Sequence, residues 1–181
     1  MYDISSEEDR IDWYSLANGY ARGLAIDEHG ITHSQAIGVI AALSPRMSWE
    51  LNKNAAFEMI RFGDCKAMKV FKGKAREILR YNEPSDEVIL GVLNGPKIQS
   101  FYLNIKYPQD SSNVTIDRHA LSVALGYWIG EKEHGQLTPS KYQFVVEAYV
   151  LAAHQVGISP VLMQSATWSK FRKIKHEYKL K

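Results

Sequence analysis

Apolar and polar positions follow one another at helical spacing along nearly the whole chain, and strict two-residue alternation is scarce. Between residues 10 and 28, Ile11, Tyr14, Leu16, Ala17, Tyr20, Ala21 and Leu24 recur three and four apart, which predicts an amphipathic helix ending near Gly30. Thr32 and Ser34 are both suited to cap the next helix, an apolar run through Ile37, Val39, Ile40, Ala41, Ala42 and Leu43. That run stops before Pro45, because the residue preceding a proline is driven out of the helical region. A helix is expected over 49–62, a short one over 66–71 and another over 74–81, with Gly63 and Gly73 as breaks. From Ser85 a short helical segment meets a second, beginning at Lys97, across Asn94-Gly95-Pro96, so that two helices join at a tight hairpin. Residues 107–113 read as a loop, Val114 to Ile116 as extended chain, and Asp117 as the N-cap of the run Ala120, Leu121, Val123, Ala124, Leu125. A loop over 130–139 then leads to a long helix near 140–156, a break at Gly157 to Pro160, and a last helix from about Val161. The expected class is all-α, a helical domain spanning 1–181.

Composition narrows the setting. A chain of 181 residues with 45% hydrophobic content can bury a sizeable core and is short for two domains, so one folding unit is expected. No stretch reaches the roughly 20 apolar residues of a membrane span, and Asp3, Glu7, Glu8 and Asp9 stand where a signal peptide carries basic residues. The expectation is a cytoplasmic monomer without membrane contact. The single cysteine, Cys65, can supply neither an internal disulfide nor a four-cysteine metal cluster, and His29, His33, His134, His154 and His176 lack metal-ligand spacing. No metal and no cofactor are therefore expected. The net charge of +2 is modest, yet residues 170–181 concentrate Lys170, Arg172, Lys173, Lys175, Lys179 and Lys181 against Glu177. Such a tail suits phosphates, and equally suits a solvated C-terminal helix end.

The hairpin at 94–97 is the first candidate site. A tight turn into a helix leaves backbone N–H groups without partners, and the helix dipole adds positive potential there, so a phosphate can be held. Gly95 permits close approach, and Pro96 suits a first helical turn because it has no N–H to orphan. An ordinary helix connection has the same composition, and what singles this one out is Asp117, twenty positions beyond Lys97, across a short helix and a polar loop that reverses the chain.

In this order and spacing, Asn-Gly-Pro-Lys (94–97) and Val-Thr-Ile-Asp-Arg-His (114–119) resemble the helix-hairpin-helix DNA glycosylase superfamily, the group of endonuclease III and the 8-oxoguanine glycosylases. The resemblance implies that Lys97 is the catalytic amine and Asp117 the catalytic carboxylate. Ile40 to Ala56 is similar to the family's apolar helix, turn and following helix start, which implies that Arg46 lies on the DNA side and fills the space of a flipped base. Trp49, Asn52 and Asn54 follow as pocket or phosphate contacts, with core packing, capping and plain surface roles as the alternatives. The hairpin residues Asn94 and Gly95, then Arg118 and His119, complete the DNA-side set, and Tyr102 lines either the pocket or the core. The likeness covers roughly residues 30–125. It departs from the family at Leu93, where a first glycine is usual, and in lacking the four-cysteine cluster of one branch. Ser-Pro-Arg (44–46), Lys-x-x-Ser-Phe-Tyr (97–102) and Ile-Asp-Arg-His (116–119) also resemble motifs of uncharacterised phage proteins.

The implied activity is excision of a damaged or modified base from double-stranded DNA, with or without AP-lyase cleavage. The base is flipped out of the stack, Asp117 stabilises the oxocarbenium character of the sugar, and Lys97 attacks C1′ to form a Schiff base. Two other readings fit the same residues: a phage-type enzyme that remodels a hypermodified base as a transferase or lyase, and a non-catalytic DNA-binding module.

Overall fold

The computed structural model describes residues 2–10, 12–27, 30–110, 113–130 and 137–177, and these are all-helical, with no strand among them. Short 3-10 turns at Tyr2–Ile4 and Glu8–Arg10 precede α1 (Trp13–Asp27), α2 (His33–Leu43), α3 (Trp49–Phe62), α4 (Lys69–Arg80), α5 (Asp86–Val92), α6 (Pro96–Lys106), α7 (Arg118–Leu125), α8 (Pro139–Val156) and α9 (Pro160–Glu177). By internal packing the chain groups into two compact units. One comprises Ser15–Lys106, and the other Met1–Tyr14 together with Tyr107–Lys181.

The unit Ser15–Lys106 is built around α2. All residues from Gln35 to Leu43 are buried, because α3, α4, α5 and α6 all pack on this one helix. Its start is fixed by Thr32, whose hydroxyl accepts from the Gln35 N–H at 3.1 Å while the Gln35 side chain accepts from the Thr32 N–H at 2.9 Å. That reciprocal pair satisfies two donors that a helix start would otherwise leave orphaned. The amide of Gln35 then reaches across to donate to the carbonyls of Ile78 and Tyr81 at the end of α4. Gly38 lets α4 and α5 come close: a Cβ there would stand 3.0 Å from Ile89 Cγ2 and 3.2 Å from Ile78 Cδ1.

One break expected from the sequence does not occur. Gly73 lies inside α4, which runs without interruption from Lys69 to Arg80. A glycine in a helix interior costs about 1 kcal/mol relative to alanine, and burial of Ala75 and Ile78 against α2 outweighs it.

In the other unit, α7, α8 and α9 enclose a core of Val114, Ile116, Leu121, Tyr142, Val146, Tyr149 and Met163. The extended chain before α7 has no sheet partner, so its polar groups are met by a side chain: the Tyr142 hydroxyl accepts from the Ile116 N–H and donates to the Val114 carbonyl, both at 3.0 Å. The Tyr149 hydroxyl donates to the Ala120 carbonyl at 3.0 Å. Burial, with the nearby Asp117 and Tyr14, raises the Tyr149 phenol far above its ordinary range, so it stays a donor at any physiological pH.

Candidate functional site

The hairpin lies in the unit Ser15–Lys106. Ser85 caps α5, and Leu93 follows its last residue, its N–H donating to Ile89 O at 2.9 Å. The chain then turns through Asn94 and Gly95 into α6 at Pro96. Gly95 has φ +94°, a conformation that glycine takes without strain and other residues resist. Asn94, Gly95 and Pro96 are exposed and Lys97 is half-buried in the first turn of α6. The amide of Gln99 donates to the Leu90 carbonyl at 3.0 Å and clasps the two helices together. Leu93 is fully buried, so the hairpin carries an apolar anchor just before its turn.

Two expected contact residues are corrected here. Tyr102 is completely enclosed and its hydroxyl donates to Asp86 Oδ1 at 2.5 Å, which makes it a tie between α6 and α5, the core alternative, and removes it from any DNA surface. Asn52 is 2% exposed, and its amide donates to the Ile40 carbonyl at 3.1 Å, holding α3 against α2. A buried amide of that kind serves the fold, because leaving a helix carbonyl unmet would cost more than the contact gains elsewhere.

Arg46 is exposed at the turn between α2 and α3, with φ +63°. A non-glycine residue in the left-handed region costs on the order of 1 kcal/mol, so the turn holds Arg46 outward against a local preference. Trp49 is half-buried, edge-on to Tyr20 with ring centroids 5.9 Å apart, and the Lys53 ammonium stands 5.8 Å from its ring. Asn54 is exposed on α3.

Asp117, Arg118 and His119 belong to the other unit. Asp117 caps α7: its Oδ1 accepts from the Ala120 N–H at 2.8 Å. Its Oδ2 accepts from the Trp168 indole N–H on α9 at 2.9 Å. Both carboxylate oxygens are thus fixed by donors on different helices. Beside them the half-buried His119 ring sits among Trp128, Trp168 and Phe171, with centroid separations of 5.6, 6.0 and 6.2 Å. Trp128 and Phe171 stack within 8° of parallel, the Arg118 guanidinium lies 5.2 Å from the Trp128 ring, and Arg172 lies 4.9 Å from Trp168. Planar cations on aromatic faces of this kind form surfaces to which another flat ring can add.

Asp117, Arg118 and His119 thus lie in one unit, and the hairpin residues and Lys97 in the other. Trp128, Trp168 and Phe171 were not singled out from the sequence, and Arg172 only as part of the basic tail. The spacing of Trp168, Phe171 and Arg172 on one helix face was the available signal, though it reads equally well as core. Among the described residues, no group of three or more His, Cys, Asp or Glu is arranged to hold a metal ion.

Residues 3–175 match the model of DUF7178, a family of unknown function, and the chain belongs to that family. No curated protein matches the chain, and no solved structure does.

Proposed function

We propose that this member of DUF7178 excises a base from duplex DNA as an N-glycosylase of the helix-hairpin-helix kind, with Lys97 as amine nucleophile and Asp117 as its carboxylate. The observation that carries the reading is the Asp117 carboxylate, held at both oxygens by the Ala120 and Trp168 N–H groups beside a cluster of aromatic rings and guanidinium groups. A carboxylate fixed this way is preorganised to stabilise positive charge, and stacking surfaces beside it suit an unpaired base. Its two fixed bonds favour an electrostatic role over that of a mobile proton carrier.

In the proposed reaction the Lys97 nitrogen bonds to C1′ and the C1′–N glycosidic bond breaks. The base leaves with that bond's electron pair and takes up a proton. Ring opening gives a Schiff base, from which elimination of the 3′ phosphate cuts the strand. The exposed Asn94-Gly95-Pro96 turn supports the reading as a phosphate contact, and Arg46 supports it as an outward-held wedge.

The experiment is borohydride trapping of the purified protein on abasic and base-modified duplexes, with analysis of any released base by mass. The expected result is a covalent adduct that Lys97→Ala removes, and base release that Asp117→Asn abolishes while DNA affinity is kept. Because the two residues lie in different units, joint action has its own signature: Lys97→Ala also slows release of the base whose release Asp117→Asn stops. Retained release in both single variants refutes the reading, DNA binding without an adduct leaves a binding module, and a remodelled rather than freed base leaves a transferase or lyase.

A further inference from the structure

A concentration of positive charge lies on an element that neither the hairpin nor the Asp117 cluster uses. Residues 61–80 hold seven lysines and arginines against Asp64 and Glu77, in a chain whose net charge is only +2. On α4, Lys69, Lys72, Arg76 and Arg80 follow at intervals of three, four and four, which puts all of them on one face along about 16 Å of helix. The opposite face, with Ala75 and Ile78, is buried against α2.

Like charges at these spacings repel by about 0.2–0.5 kcal/mol per pair, a cost borne along the whole stripe. One carboxylate relieves it in part. Asp64 pairs with Lys72 at 2.8 Å and with Arg76 at 2.9 Å. Lys69 and Arg80, both exposed, make no ion pair among the described residues. Gly73 stands exposed in the middle of the stripe, where a Cβ would meet nothing within 4 Å. Packing does not demand glycine there. Its effect is to leave the helix backbone open between cations, a low point that an anionic chain can approach.

We infer that the outer face of α4 is a track for the phosphate backbone of nucleic acid, separate from the 94–97 hairpin. A polyanion with regularly repeated charge complements a straight row of cations, and long side chains can follow it without side-chain-specific pockets. An anionic bilayer is the poorer match, since an interfacial helix must offer its apolar face to lipid and that face of α4 is spent on α2. Exposed Phe62, Met68 and Val70 add apolar surface beside the N-terminal end of the stripe. The inference rests on the DNA-directed reading above for its ligand, and is independent of the chemistry at Lys97 and Asp117.

The test is the salt dependence of affinity for a short undamaged duplex, measured with the full chain. Lys69→Gln with Arg80→Gln is expected to make the negative slope of log K against log salt shallower by about 1.8, since each lost phosphate contact removes about 0.9 of its magnitude. Lys141→Gln, an exposed lysine on α8, serves as control and leaves the slope unchanged. Gly73→Ala, which keeps every charge, is expected to raise the melting temperature and yet weaken binding. An unchanged slope in the double variant overturns the track even if base release is observed. Protein that ignores the duplex and sediments with phosphatidylserine vesicles overturns it also. A reduced slope with no base release from any duplex leaves the track standing and removes the proposed chemistry.

Discussion

Asp117 is restrained from two directions, and each restraint has its own energetic signature. Asp117→Ala removes the cap of α7, worth about 1 kcal/mol, and strands the Trp168 indole N–H, worth a further 1–3 kcal/mol. Asp117→Asn keeps an oxygen for the Ala120 N–H, so its expected cost in thermal or urea unfolding is the smaller of the two. Trp168→Phe is expected to cost about 1.5–3 kcal/mol, as for a hydrogen bond to a charged group, and to slow base release without changing DNA affinity. Equal stability of the Ala and Asn variants would show that the cap contributes nothing. The capping role of Asp117 was legible from its place before an apolar run, because capping is a local matter. Trp168 was not, since the partner lies 51 positions away and only the folded chain brings α9 to the start of α7.

At the level of elements, α2 is the helix on which the unit Ser15–Lys106 depends, and at Gly38 neighbouring isoleucines leave no room for a Cβ without shifting. Gly38→Ala gains about 1 kcal/mol of helix propensity but forces Ile89 and Ile78 aside, an overpacking cost of about 1–3 kcal/mol. The expected net effect is a destabilisation of about 1 kcal/mol, measurable by urea unfolding, and stabilisation would show that the two isoleucines yield freely. Boundaries set by caps and prolines were legible, as at Thr32, Pro45, Ser85 and Pro96. Gly73 was misread as a break because local propensity was weighed without the burial that α4 gains on α2. For Asn52 and Tyr102 the spacing left a DNA-side contact and a structural role both open, because polar groups near a motif suit either. Their burial is a property of the packed helices, not of their spacing.

For the molecule as a whole, the all-helical class was legible from periodicity, whereas the division into two units was not. The crossing after Lys106 abuts the polar loop 107–113, but the other falls in the first turn of α1, where composition marks nothing. The unit Ser15–Lys106 has its own buried helix and its own caps, so a fragment of those residues is expected to unfold cooperatively with helical circular dichroism. A fragment without a transition would show that it needs the rest of the chain. Basic charge at 170–181 was visible as a cluster, while the stripe on α4 was masked by the acidic residues spread through the remaining sequence.

The side-chain amide of Asn18 donates to the carbonyl of Ile105 at 2.8 Å and approaches that of Lys106 at 3.4 Å, so the points where the chain enters and leaves the inner unit are pinned together. A ribosome delivers the segment before Ser15 long before the partners it packs with, and the roughly 90 residues of the insert emerge in between. Once that insert has folded, the leading segment and the trailing helices are tethered by a short bridge instead of a long floppy one, and the entropy of their meeting falls accordingly. Translation order thus assigns the insert the part of a clasp, closed first, that brings the two segments flanking it into each other's reach.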